Sequence, residues 1–169
     1  MWRWPLRVGG QHGCLRTVID GLRQVGTAGY RLWQDAVTEE GADGHPLPGR
    51  GFDAAELEPS SAFWAGVLGG TVDVENDWHM VMDGDGVPRI GIQLAPNHVP
   101  PDWPNGEPSQ QVHLDLWVDD LSAAHAEVMA LGAKLLQAAP DLDAEEGWQV
   151  YADPAGHPSC LCWHRSLIT

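Results

Sequence analysis

From Gln111 to Val118 apolar and polar side chains alternate, with Val112, Leu114, Leu116 and Val118 in one set and His113, Asp115 and Trp117 in the other. A strand sends successive side chains to opposite faces. The pattern therefore predicts one face packed under another layer and one face offering imidazole, carboxylate and indole. The period then lengthens. Asp119 or Asp120 can cap a following helix by accepting from its free N–H groups, and Gly132 ends that helix about three turns later.

The same reading applies upstream. Leu57 to Leu68 has helical spacing, with Pro59 in the first turn and the i,i+4 pairs Phe63/Val67 and Trp64/Leu68 aimed at a core, before Gly69-Gly70 stops it. Thr71 to Glu75, Trp78 to Met82 and Arg89 to Ala95 read as strands, the last two joined by a turn at Asp83-Gly84-Asp85-Gly86. Residues 96–109 hold five prolines and read as a stiff connector. After the helix that starts near Leu121, strands are predicted at Ala133 to Gln137, Trp148 to Ala152 and Ser159 to His164, with an acidic loop between the first two.

The chain repeats itself. Trp78, Asp83, Gly86 and Pro88 spell W-x4-D-x2-G-x-P, and Trp148, Asp153, Gly156 and Pro158 spell it again 70 positions later. The helix ends match too, at Leu68-Gly69 and Leu131-Gly132. Two copies of strand, helix and three strands make an α+β fold of tandem βαβββ modules. The first module spans about 50–95, the linker 96–109 and the second 110–165, within a domain of 50–165.

Residues 1–49 fit neither copy and read as an extension that is partly helical or loosely ordered. Leu15, Val18, Ile19, Leu22 and Val25 predict a short amphipathic helix over about 14–25, and residues 40–51 read as loop. The first module's opening strand should lie just before Asp53, where His45 to Ala54 is rich in proline and glycine and makes a poor central strand. Either Tyr30 to Val37 fills that place or the module is open on one side.

Charge narrows the partners. The net charge is −15, and residues 51–169 carry three basic against nineteen acidic side chains, while residues 1–50 carry six against five. So acidic a domain repels phosphate backbones and anionic lipid, which argues against nucleic acid and membrane partners. No apolar run reaches membrane-spanning length, the first residues make a poor signal peptide, and three cysteines build no disulfide framework, so a cytoplasmic protein is expected.

The V-H-L-D-L-W-V-D-D-L opening of module two, the two L-G helix ends and Y-A-D-P-A-G-H-P-S-C-L-C over residues 151–162 resemble the vicinal oxygen chelate superfamily. That superfamily holds glyoxalases, bleomycin-resistance proteins, fosfomycin-resistance enzymes and extradiol dioxygenases, and the resemblance covers roughly Phe52 to His164. It implies that each module curls its sheet into half of a cup, within one chain or across a homodimer. It also implies, for metal-using members, His or Glu ligands on the first and fourth strands of each module. His113 matches one of the four places. Cys160, Gly49, and Ile90 or Gln93 stand at the others, so a standard divalent site is not expected and no cofactor is assigned.

The candidate ligand-binding residues are then His113, Asp115, Trp117, Gln93, Trp78 and Cys160, with His113 and Asp115 as the candidate acid–base pair. The plainer alternative makes His113 a buried histidine bonded to Asp115 or to a backbone carbonyl. Cys160 and Cys162 read as small buried hydrophobes, His157 as an exposed turn residue, and Asp83 to Gly86 as a tight turn, since the twelfth place of a calcium loop is Leu94. Phosphate-loop, dinucleotide and serine-hydrolase motifs are absent. The reading these features favour is a small-molecule binding protein, with a metal-dependent or acid–base lyase or isomerase using His113 as the alternative. A purely structural, dimerising module stands third.

Overall fold

The structure, a computed structural model, describes residues 22–25 and 30–33 as backbone strands and residues 50–165 with their side chains. In chain order these form β1 (Leu22–Val25), β2 (Tyr30–Trp33), β3 (Arg50–Ala54), α1 (Leu57–Leu68), β4 (Val72–Val74), β5 (Trp78–Met82) and β6 (Pro88–Leu94). They continue with β7 (Leu114–Trp117), α2 (Leu121–Ala130), β8 (Lys134–Gln137), β9 (Glu146–Ala152) and β10 (Pro158–His164). Residues 50–165 thus run strand, helix and three strands twice over.

Both copies have the same topology. One sheet has the order β3-β6-β5-β4, and the other has β7-β10-β9-β8 with β2 and β1 added beyond β7. In each copy the first strand runs parallel to the fourth and the remaining pairs are antiparallel. Among the described residues no ladder joins the two sheets, and the sheets are not closed.

The repeated motif has a physical explanation in the turns between third and fourth strands. The Asp83 carbonyl accepts from Gly86 N–H at 2.9 Å and its carboxylate accepts from Asp85 and Val87 N–H at 3.0 Å. The Asp153 carbonyl accepts from Gly156 N–H at 2.9 Å and its carboxylate from His157 N–H at 2.8 Å. Gly86 and Gly156 have φ of 78° and 94°, which a side chain would strain. The proline then begins the next strand, where a missing N–H is tolerated.

One apolar core lies between the helices and the sheets. Phe63, Trp64, Val67 and Leu68 of α1 are at most 2% exposed, and they join Val81, Ile90 and Ile92 of the first sheet with Leu116, Tyr151 and Leu161 of the second. Ala124 and Val128 of α2 belong to the same cluster. Asp120 is the cap of α2, accepting from Ala123 N–H at 3.0 Å, and Gly132 takes a φ of 103° after the helix.

Several expectations are corrected. Leu22–Val25 is a strand and not the end of a helix; residues 14–21 lie outside the described residues. Tyr30–Trp33 does not replace the first strand of module one but pairs antiparallel with β7. That first strand is Arg50–Ala54 itself, paired with β6 from Arg50↔Ile90 to Ala54↔Leu94. It is an edge strand, needing partners on one side only, and Pro46 and Pro48 precede it, so the proline and glycine objection does not apply. The strand at Leu114 is shorter than its alternation suggested, and Val112 is 71% exposed.

Candidate functional site

In the second sheet the helix-facing set is Leu116, Tyr151 and Leu161, which leaves the opposite face to Asp115, Trp117, Cys160 and Cys162. The β7–β10 ladder sets Cys160 beside Asp115 and Cys162 beside Trp117. Across β9 the same face continues with Val150 beside Cys160 and Trp148 beside Cys162. Trp148 is 45% exposed, so this face is open toward its outer strands.

On it His113, Asp115 and Cys160 converge, with a ring nitrogen, a carboxylate oxygen and a sulfur all within 4.8 Å of one another. His113 Nε2 lies 3.4 Å from an Asp115 oxygen, and both side chains are more than a third exposed. The buried-histidine alternative is thereby excluded: His113 has a partner in Asp115 but stands in solvent. Trp117, Trp103 and Leu136 pack around Val150, Cys160 and Cys162. The thiol hydrogen bond with Cys160, burial, and the charge of Asp115 all push the Cys162 thiol well above its usual range. Cys162 is therefore a neutral thiol at physiological pH and a poor nucleophile.

The first sheet is different at the equivalent place. Gly51 pairs with Gly91 as Asp115 pairs with Cys160. A bulge between Val81 and Met82 shifts the register by one, so Gly91, rather than Ile90 or Gln93, is the structural counterpart of Cys160. Ile90 faces the core at 1% exposure. Gly49, the counterpart of His113, lies outside the described residues. The Trp78 indole occupies the space over the two glycines: a Cβ on Gly51 would touch it at 3.7 Å, and one on Gly91 would overlap it. Gln93 is the cross-strand neighbour of Trp78. Of the six candidate residues, His113, Asp115, Cys160 and Trp117 come together on the second sheet, whereas Trp78 and Gln93 pair on the first.

Two contributors were not assigned from sequence. Trp103, in the connector, packs on the thiol cluster, so that segment is a cover as well as a spacer. His98 of the same segment bonds the Ala155 carbonyl at 3.0 Å, and Pro100 lies over Gly156, which ties the connector to the second module. A tryptophan among prolines was the available signal. His157 is not an exposed turn residue: its ring is 3.0 Å from an Asp153 oxygen and stacks on Phe52 at 4.9 Å between centroids.

These features define a class, the tandem βαβββ α+β fold. The glyoxalase-like domain family matches residues 51–162, and the chain belongs to that family within the glyoxalase, bleomycin-resistance and dioxygenase group. Among solved structures, the fosfomycin resistance protein FosX of Mesorhizobium loti is 16% identical at a TM-score of 0.50, covering 69% of this chain and 90% of its own. A glyoxalase-related enzyme from Fulvimarina pelagi is 18% identical at a TM-score of 0.50, covering 70% of this chain and 88% of its own. At these identities the likeness shows the fold alone. No curated protein matches the sequence.

The metal that many members of such a fold carry can be tested against the donors present. Imidazole, carboxylate and thiolate are all acceptable to zinc-like ions, and three protein donors with an open position form the usual catalytic arrangement. His113, Asp115 and Cys160 supply that number from one module.

Proposed function

We propose that the protein binds a small neutral or cationic molecule on the open face of its second sheet, with His113 and Asp115 as the polar anchor. The observation that carries this reading is the convergence of three polar donors on an exposed sheet face walled by Trp103 and Trp117. Aromatic walls with a few convergent polar groups are how small-molecule sites are generally built. The acidic domain favours a cation or a neutral molecule over an anion. In the first sheet Trp78 fills the corresponding place, so the donors come from one module. In this reading the working form is a cytoplasmic homodimer.

The same convergence favours a second reading, a lyase or isomerase. There His113, Asp115 and Cys160 would hold a divalent ion, which when bound supplies Lewis-acid polarisation of a ligand oxygen. Without an ion, His113 and Asp115, 3.4 Å apart, would act as the acid–base pair. Elemental analysis of the purified protein separates the readings. Metal well below one equivalent, unchanged by His113→Ala, supports binding without metal. One equivalent of zinc, nickel, manganese or iron that His113→Ala removes would establish the second reading instead.

A further inference from the structure

The His113–Asp115 anchor leaves the second thiol of β10 without a role. Cys160 and Cys162 stand two positions apart on one strand, so their side chains leave the same face, the one turned away from the helices. Each is 9% exposed, and their thiols lie within hydrogen-bond reach of each other. Both are free cysteines.

The pair belongs to the second module alone. The ladders match Asp115↔Cys160 and Trp117↔Cys162 with Gly51↔Gly91 and Asp53↔Gln93, so glycine and glutamine stand at the two thiol places in the first module. The thiols can also be approached from solvent on both sides. Trp148, beside Cys162, is 45% exposed, and the side chains of His113 and Asp115, beside Cys160, are more than a third exposed.

Two sulfurs this close can be bridged by a single thiophilic atom, and the charge around them selects which. Holding a metal ion between them would take both as thiolates and set two further negative charges beside the Asp115 carboxylate. Trivalent arsenic makes no such demand. A monoorganoarsenous acid, R–As(OH)2, condenses with two neutral thiols. Two As–O bonds break and two As–S bonds form, each thiol hydrogen leaves with a hydroxyl as water, and arsenic stays trivalent. The product carries no charge, so Asp115 does not oppose it. An apolar R group has Trp103, Trp117 and Leu136 to rest on.

We propose that Cys160 and Cys162 together capture a trivalent organoarsenical, its organic group lying against Trp103 and Trp117. This rests on the reading that the open face takes a small neutral molecule, with the thiols in place of the polar anchor for this ligand. The probe is phenylarsine oxide, added to the reduced full-length protein and read by intact-protein mass spectrometry. The expected result is one phenylarsenic group per chain with two thiol hydrogens lost, in the native protein and equally in Cys14→Ser, which removes the third cysteine of the sequence. Excess glutathione should leave the adduct in place and dithiothreitol should remove it, since a chelate resists a monothiol; this arm needs no variant. Cys160→Ser and Cys162→Ser should each weaken capture by about a hundredfold or more, the gain expected from joining two binding groups. His113→Ala keeps both sulfurs and should still capture the probe, whereas compounds held by the polar anchor lose their hold there, so the two readings fail separately. No adduct, removal by glutathione, undiminished capture in either Cys160→Ser or Cys162→Ser, or loss of capture in His113→Ala would overturn the proposal.

Discussion

Asp153 is 3% exposed and accepts hydrogen bonds from four groups: Ser60 Oγ–H at 3.1 Å, Trp64 Nε1–H at 2.9 Å, His157 N–H at 2.8 Å and the His157 ring. Ser60 and Trp64 belong to α1, so this one carboxylate pins the first module's helix to the second module's turn. Burial alone would raise its pKa, but the His157 ring and N–H and the Trp64 indole together hold the carboxyl below the ordinary 3.8. A carboxyl depressed by folding stabilises the protein fully above its unfolded value, and that contribution is lost as pH falls through the folded value. Asp153→Asn should therefore cost about 3 kcal/mol at neutral pH, the typical loss when one partner of a buried charged network is removed. Urea denaturation of both proteins across pH should show the difference shrinking below about 3.8. A constant difference down to strong acid would show that Asp153 is not ionised in the native state.

At the scale of elements, the first and second copies differ most where Trp78 lies across Gly51 and Gly91. The close approach of the indole to β6 is possible only because Gly91 has no side chain there, whereas a Cβ on Gly51 would make ordinary contact. Gly91→Ala should cost about 1–3 kcal/mol, the usual range for overpacking, in thermal or chemical denaturation. The cost should largely vanish in a Trp78→Ala background, and equal costs in both backgrounds would mean that the indole is not the obstacle. This contact also shows what sequence patterns conveyed. Helices and hairpin turns were legible because caps, glycines and i,i+4 pairs act locally: Leu57–Leu68 has its predicted bounds, and both D-x2-G turns are where the repeat placed them. The strand at Arg50 was not legible, because its pairing comes from β6, a partner about 40 positions downstream (Arg50↔Ile90) that no local pattern reveals. Likewise Leu22–Val25 has helical spacing but lies in a hairpin, since its partner Tyr30–Trp33 is a tertiary feature that no local period reveals.

At the scale of the whole molecule, duplication has produced two sheets of the same order whose outer faces have diverged. The first carries an aromatic plug on glycine, and the second carries an open cluster of imidazole, carboxylate and thiol. The face of His113 and Asp115 was legible from strand alternation alone, and Cys160 from its place after the turn glycine. The shift that makes Gly91 its counterpart was hidden, because a bulge adds a residue without changing the pattern on either side. The connector is also more than a spacer, since Trp103 and Pro100 lie on the second module. No helix of the described residues is long and apolar enough to cross a membrane.

The central claim is that the small-molecule site proposed for the protein lies on the second sheet, around His113, and not at the Trp78 face of the first. Its most direct test is a thermal-shift screen of neutral and cationic metabolites and antibiotics, run in parallel on the native protein, His113→Ala and Trp78→Ala. The account predicts compounds that raise the melting temperature of the native protein by several degrees, lose that effect in His113→Ala and retain it in Trp78→Ala. Compounds whose stabilisation survives in His113→Ala but disappears in Trp78→Ala would place the binding face on the first sheet and contradict it.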